Sequence, residues 1–189
     1  MRLITARQAW HDAFYNKGNS TLARIEEQGK LGQAIQRNTY FDSNQRAAHI
    51  VQAGQVQHAI ASLPESLQQL GHWLYSPLTT EQANLIVDEV QDNVFSQAQV
   101  DHEDNTVYWL TMAVMADYQD IVLGREQRLK TPARIRKYLA EWHSVEINTR
   151  RWAREWQPTW QALWNSISDL DARALKPVAK LVYQYKQAA

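Results

Sequence analysis

Residues 105–124 read NTVYWLTMAVMADYQDIVLG, and their spacing decides the fold class. Leu110, Ala113, Val114, Tyr118 and Ile121 recur with the 3.6-residue period of a helix that buries one stripe, and nothing in the stretch alternates with the period of two that a half-buried strand requires. The stretch is strongly apolar, so this helix is predicted to be the most buried element. Asp117, Gln119 and Asp120 interrupt it, however, and leave it short of the roughly 18 uncharged apolar residues from which a membrane span is read. No longer candidate exists in the chain, so no membrane crossing is expected.

The same period extends outward in both directions. Downstream, Gly124 is a natural stop. Thr131-Pro132 then combines an N-cap residue with a proline at the first helical position, a strong start signal. Ile135, Leu139 and Trp142 form the apolar stripe of the helix that follows. After a short break, Asn148 or Thr149 is predicted to cap a helix carrying Trp152 and Trp156. Pro158 kinks or restarts it, and it continues through Trp160, Leu163, Trp164 and Ile167. A last helix is predicted over Val178, Leu181, Val182 and Tyr185, with Pro177 in its first turn.

Upstream, Thr5-x-x-Gln8 reads as a capping box ahead of Ala9, Trp10, Ala13 and Phe14, with Gly18 as the stop. Short helical turns follow near Leu22 and Ile25 and near Leu31 to Ile35. Asp42-x-x-Gln45 opens a longer helix with Ala47, Ile50, Val51 and Gly54 on one stripe. Ser62-x-x-Glu65 restarts the chain into Leu63, Leu67, Leu70 and Leu74, which Ser76-Pro77 ends. Thr79 or Thr80 caps a helix with the stripe Ala83, Val87, Val90 and Val94. The predicted fold is therefore all-α, a single multi-helix domain over 1–189 of eight or nine helices. The alternative subdivision is an acidic body, 1–124, and a basic Trp-rich part, 125–189.

A chain of 189 residues buries about 70% of the surface its unfolded form exposes, and so needs no covalent staple. It contains no cysteine, which excludes disulfides and thiolate metal sites. That composition fits a reducing compartment. Met1 to Gln8 lacks the apolar core of a signal peptide. The expected location is the cytoplasm.

Net charge is 0, but its distribution is segregated. Residues 1–46 carry 7 basic and 4 acidic side chains, residues 47–124 carry 10 acidic side chains and no Lys or Arg, and residues 125–189 carry 13 basic and 6 acidic side chains. Either the two parts neutralise each other by packing, or they present separate acidic and basic faces to partners.

The basic part contains the leading candidate site. Arg134, Arg136 and Lys137 fall on the helix begun by Thr131. Arg150, Arg151 and Arg154 fall at the start of the next, opposite Trp152 and Trp156. Arginine beside aromatic residues suits contact with phosphates and base edges. The unit over 131–156 resembles a helix-turn-helix, with Ile147, Trp152 and Trp156 spaced like the apolar positions that fix a recognition helix. In its size, neutrality and Gln and Trp content the chain also resembles regulatory proteins of bacteriophages and prophages. That class includes late-gene antiterminators, which touch both DNA and RNA polymerase. The resemblance implies a regulator that binds DNA or RNA through these six cations, with RNA polymerase a possible protein partner. The competing reading is a solvated helix face over a Trp-rich core.

Two acidic patterns compete with it. Asp88, Glu89 and Asp92 share one helix face, and Asp117 and Asp120 another. Together they resemble the EExxE and ExxD motifs with which all-α nucleotide pyrophosphohydrolases hold magnesium, although Asp replaces Glu at three of the five positions. The other function for an acidic surface, from Glu81 to Asp120, is engagement of a basic protein partner. Asp101-His102-Glu103-Asp104 offers metal-ligand types in what reads as an exposed loop. No Gly-rich phosphate loop, nucleophile elbow or paired-histidine zinc motif occurs. No catalytic residue, metal or cofactor is therefore expected. Of the Trp row at 152, 156, 160 and 164, most are expected in the core, with one left as a partner anchor.

Overall fold

The computed structural model describes residues 5–15, 43–100 and 105–187. Among these residues there are eight helices and no strand: α1 (Ala6–Phe14), α2 (Ser43–Ala61), α3 (Glu65–Tyr75), α4 (Thr80–Ala98), α5 (Asn105–Val122), α6 (Pro132–His143), α7 (Trp152–Glu155) and α8 (Gln157–Gln187). The fold is all-α. The short turns expected near Leu22 to Ile35, and the loop from Asp101 to Asp104, lie outside the described residues.

The helix starts follow local hydrogen bonding. The Gln8 amide donates to Thr5 Oγ1 at 3.1 Å, but the Gln8 side chain donates to Asp12 instead of completing a box. Thr79, rather than Thr80, caps α4 with a full box. The Gln82 amide donates to its hydroxyl, and Gln82 Oε1 accepts from the Thr79 amide at 3.0 Å. Thr131 caps α6 and Pro132 follows in its first turn, where a missing N–H leaves no bond unmade.

The chain forms two compact units. The first takes residues 1–64, 75–77 and 175–189. Within it α1 packs on α2. Ala9, Trp10 and Ala13 are buried on α1, as are Val56 and Ile60 on α2. Gln57 Nε2 donates to the carbonyl of Ala13 at 2.7 Å, satisfying an acceptor that the last turn of α1 leaves open. Trp10 lies against Tyr75 with ring centroids 6.0 Å apart, and His11 Nδ1 donates to the Tyr75 carbonyl at 3.0 Å.

The second unit takes residues 65–74 and 78–174, and contains Gly124, where the charge changes sign. Here α4 packs on α5, and α5 on α6. Leu110, Ala113, Val114, Met115 and Tyr118 of α5 are buried, while Ile121 is exposed. The stripe of α4 narrows to Val90 and Val94, with Phe95 beside them. Polar side chains tie the layers. Gln91 Nε2 donates to the Tyr108 carbonyl at 2.8 Å, Ser166 Oγ to that of Val94 at 2.7 Å, and Tyr118 to Asp171 at 2.7 Å.

Two boundaries differ from expectation. The helix expected from Asn148 or Thr149 is one turn long, Trp152–Glu155, and α8 begins at Gln157. Pro158 has no N–H to give the carbonyl four residues back, and its ring crowds that carbonyl, so regular helix stops on its N-terminal side. Pro177, by contrast, starts nothing, because α8 runs through it. Leu170, Ala174, Val178 and Val182 are buried at four-residue steps across it. Leu170 and Ala174 belong to the second unit and Val178 and Val182 to the first, and one missing hydrogen bond does not end the helix between them.

Candidate nucleic-acid interface

The basic helix α6 is set in place by two carboxylates of α5. The end of α5 turns at Gly124, whose φ of +71° is a left-handed conformation that glycine adopts without a Cβ penalty. The Arg125 amide then donates to the Asp120 carbonyl at 2.7 Å. Asp120 is 3% exposed, and its side chain accepts from Arg128 Nε and lies 3.6 Å from Arg125 Nη1. Asp117 is 0% exposed and accepts from the Leu129 amide and from Gln127 Nε2, each at 2.8 Å. The segment that delivers Thr131, and with it α6, is thus stitched to α5 at four points.

This geometry assigns the acidic residues different parts. Asp117 and Asp120 turn inward as acceptors for the 125–129 segment. Asp88, Glu89 and Asp92 are exposed on α4, where Glu89 accepts from Gln69. The two motifs are not brought together. Among the described residues, no group of three or more His, Asp or Glu side chains is placed to hold a metal ion.

The basic residues stay outside. Arg134, Arg136 and Lys137 are exposed on α6, whose opposite face buries Ile135 and Leu139. Lys137 lies 3.6 Å from Glu141 one turn on, and Arg134 Nη1 donates weakly to the Arg128 carbonyl at 3.4 Å. Arg150 and Arg151 are exposed in the turn before α7, where the Arg150 amide donates to Asn148 Oδ1 at 3.0 Å. Arg154, on α7, is exposed too. Among the described residues, Arg134, Arg136, Arg150, Arg151 and Arg154 form no salt bridge. Among the described residues, the salt bridges between the acidic segment and the basic one are those of Asp120 with Arg125 and Arg128.

Aromatic rings line the inner side. Ile147 is buried, whereas Trp152, Trp156, Trp160 and Trp164 are all half-buried. Trp152 meets Trp160 at 6.0 Å, Trp160 stacks on Trp164 at 6.4 Å, and Trp164 meets Tyr118 edge-on at 5.5 Å. The row is divided between α7, the residue that follows it and α8, and none of its rings is fully enclosed. The tryptophan that stands free is another one. Trp142 shares the stripe of Ile135 and Leu139 by spacing, yet is 73% exposed. Sequence spacing gives the azimuth of Trp142 but not the extent of the layer beneath it.

His143, next along, stacks on Trp109 with centroids 4.4 Å apart and meets Tyr138 at 5.4 Å. Its Nε2 is buried without a hydrogen-bond partner. Burial holds the pKa of His143 below its ordinary value, and that of His72 likewise. The unfolded chain therefore binds protons at these sites first as pH falls. Stability is highest above the unfolded value of about 6.5, and declines as pH drops through it towards the lower folded values. Thermal melts from about pH 7.5 down to about pH 5 are expected to show this decline, and His143→Gln is expected to reduce its slope. A slope unaltered by that substitution would remove His143 from the account.

No family model, curated protein or solved structure matches the chain.

Proposed function

We propose that the protein is a nucleic-acid-associated regulatory protein of the transcription-regulator type, contacting phosphates of DNA or RNA through Arg134, Arg136, Lys137, Arg150, Arg151 and Arg154. One observation carries this reading. All six side chains are exposed and five form no salt bridge among the described residues, while the inward acceptor role falls to Asp120, answered by Arg125 and Arg128, and to Asp117, answered by Gln127 and the Leu129 amide. Exposed guanidinium groups on a helix and the turn beyond it are suited to bidentate phosphate contact. The finer assignment, a helix-turn-helix regulator of phage type, is supported by the order of α6, turn and α7 and by burial of Ile135, Leu139 and Ile147. The single turn of α7 and the half-burial of Trp152 and Trp156 depart from it and shift the weight towards backbone contact. No catalytic step or cofactor belongs to this reading.

The test is the double charge reversal Arg150→Glu and Arg151→Glu, with affinity measured across a salt series. Each lost phosphate contact lowers the slope of log affinity against log salt by about one unit, so the slope is expected to fall by about two and affinity at low salt by at least about tenfold. Stability is expected to change by under about 1 kcal/mol, because both groups are exposed. A folded double variant with unchanged affinity would sink the proposal.

A second reading is favoured by α4. Leu85, 79% exposed, lies on one helix face with Glu81, Asp88 and Asp92. Such a face suits a basic protein partner.

A further inference from the structure

Trp142 has no structural role in the preceding account and a 73% exposed indole that water solvates poorly. Its surroundings on α6 say what covers it. Arg134, Tyr138 and Trp142 are four residues apart, and so occupy adjacent positions on three successive turns, spanning about 12 Å of helix. Arg134 and Trp142 are exposed and Tyr138 is half-buried. In chain order Trp142 stands between the cations of α6 and those of the turn at Arg150 and Arg151. Glu141, the carboxylate next to it, lies against Lys137. A flat, exposed ring flanked along the chain by exposed guanidinium groups matches a ligand that carries both phosphates and accessible base faces. Duplex DNA offers the phosphates but keeps its bases stacked within the helix. The four-residue α7 is also too short to lie along a groove and read base edges as a recognition helix does. Unpaired bases have free π-faces, and stack on an aromatic side chain whatever their sequence.

We infer that the ligand of the basic face is single-stranded nucleic acid, with a base stacked on Trp142 and the neighbouring phosphates held by the cations of α6 and of the following turn. This rests on the nucleic-acid reading above and narrows it to unpaired strands.

The experiment uses the full chain, a fluorescein-labelled oligothymidylate and a duplex of the same length, each titrated across a salt series. The wild-type protein is expected to prefer the single strand. Trp142→Ala is expected to weaken that binding about 5- to 150-fold, the range for loss of one base–aromatic stack, and to leave the salt slope unchanged, since the ring carries no charge. Trp142→Phe is expected to keep most of the affinity. The Arg150→Glu, Arg151→Glu variant is expected to lower the slope instead. Both Trp142 variants should fold and melt like the wild type, because the ring is exposed. Unchanged single-strand affinity in Trp142→Ala, alongside a loss in the arginine variant, would overturn the stacking inference and leave the nucleic-acid reading standing. A wild-type preference for duplex would do the same. A protein that binds neither probe would overturn both, and would make Trp142 an anchor for a protein partner.

Discussion

Asp117→Ala is expected to lower stability by about 3 kcal/mol, and the melting temperature by about 6–12 °C for a chain of this size. Asp117 is 0% exposed and accepts from the Leu129 amide and Gln127 Nε2. Alanine would strand both donors, one of them a backbone N–H beside the buried Leu129 side chain, where water does not readily replace the carboxylate. Truncation would also leave a small void at a fully buried position. Asp117→Asn should fall between the two. It retains one carbonyl acceptor, but turns an NH2 group towards a donor. Hydrogen exchange offers a local check, since the Leu129 amide should lose protection in Asp117→Ala. A melting temperature within error of the wild type would show that the 125–129 segment is held by other contacts.

This carboxylate illustrates where the sequence is legible and where it is not. The helix starts at Thr5, Thr79 and Thr131 could be read because their causes are local, a hydroxyl and an amide three residues apart. The burial of Leu110, Ala113 and Val114 followed from period alone. Asp117 and Asp120 carried the same period but two meanings, solvated face or ligand pair. The deciding partners, Gln127, Arg128 and Leu129, lie 8 to 12 residues on, across a turn whose path no local rule fixes. A signal was nonetheless present: two carboxylates on the apolar stripe of the most buried helix, followed directly by arginines. Buried charge asks for a partner, and the nearest cations in sequence supplied it for Asp120.

The candidate site divides in the same way. That Arg134, Arg136 and Lys137 oppose Ile135 and Leu139 was readable from spacing on one helix. The placement of Arg150 and Arg151 in a turn, and the brevity of α7, depend on how Pro158 breaks the helix, and a proline in the sequence can end, kink or merely weaken a helix. Trp142 was placed on the core stripe correctly in angle and incorrectly in burial. Its fate depends on where the α5–α6 layer ends, a tertiary fact.

Pro177→Ala is expected to raise stability by about 2 kcal/mol and the melting temperature by about 4–8 °C. Proline in a helix interior is about 3 kcal/mol less favourable than alanine, through the lost N–H bond and the crowding of the carbonyl four residues back, here that of Arg173. Part of that gain is offset, because alanine gives the unfolded chain more freedom than proline. Pro177 sits inside α8 and is half-buried, with Ala174 and Val178 buried beside it. An alanine methyl removes little apolar contact there, so the restored bond from residue 177 to the Arg173 carbonyl should dominate. The sequence signal that suggested a helix start at Pro177 was sound as a local preference. It lost to the apolar row at 170, 174, 178 and 182, which is buried on both sides of the proline and is best satisfied by one uninterrupted helix. If that competition is the correct account, Pro177→Ala relieves the one unfavourable local choice in α8. A fall in melting temperature would mean instead that the ring fills space that alanine leaves empty, or that a bend at Pro177 is needed for the packing of Val178 and Val182.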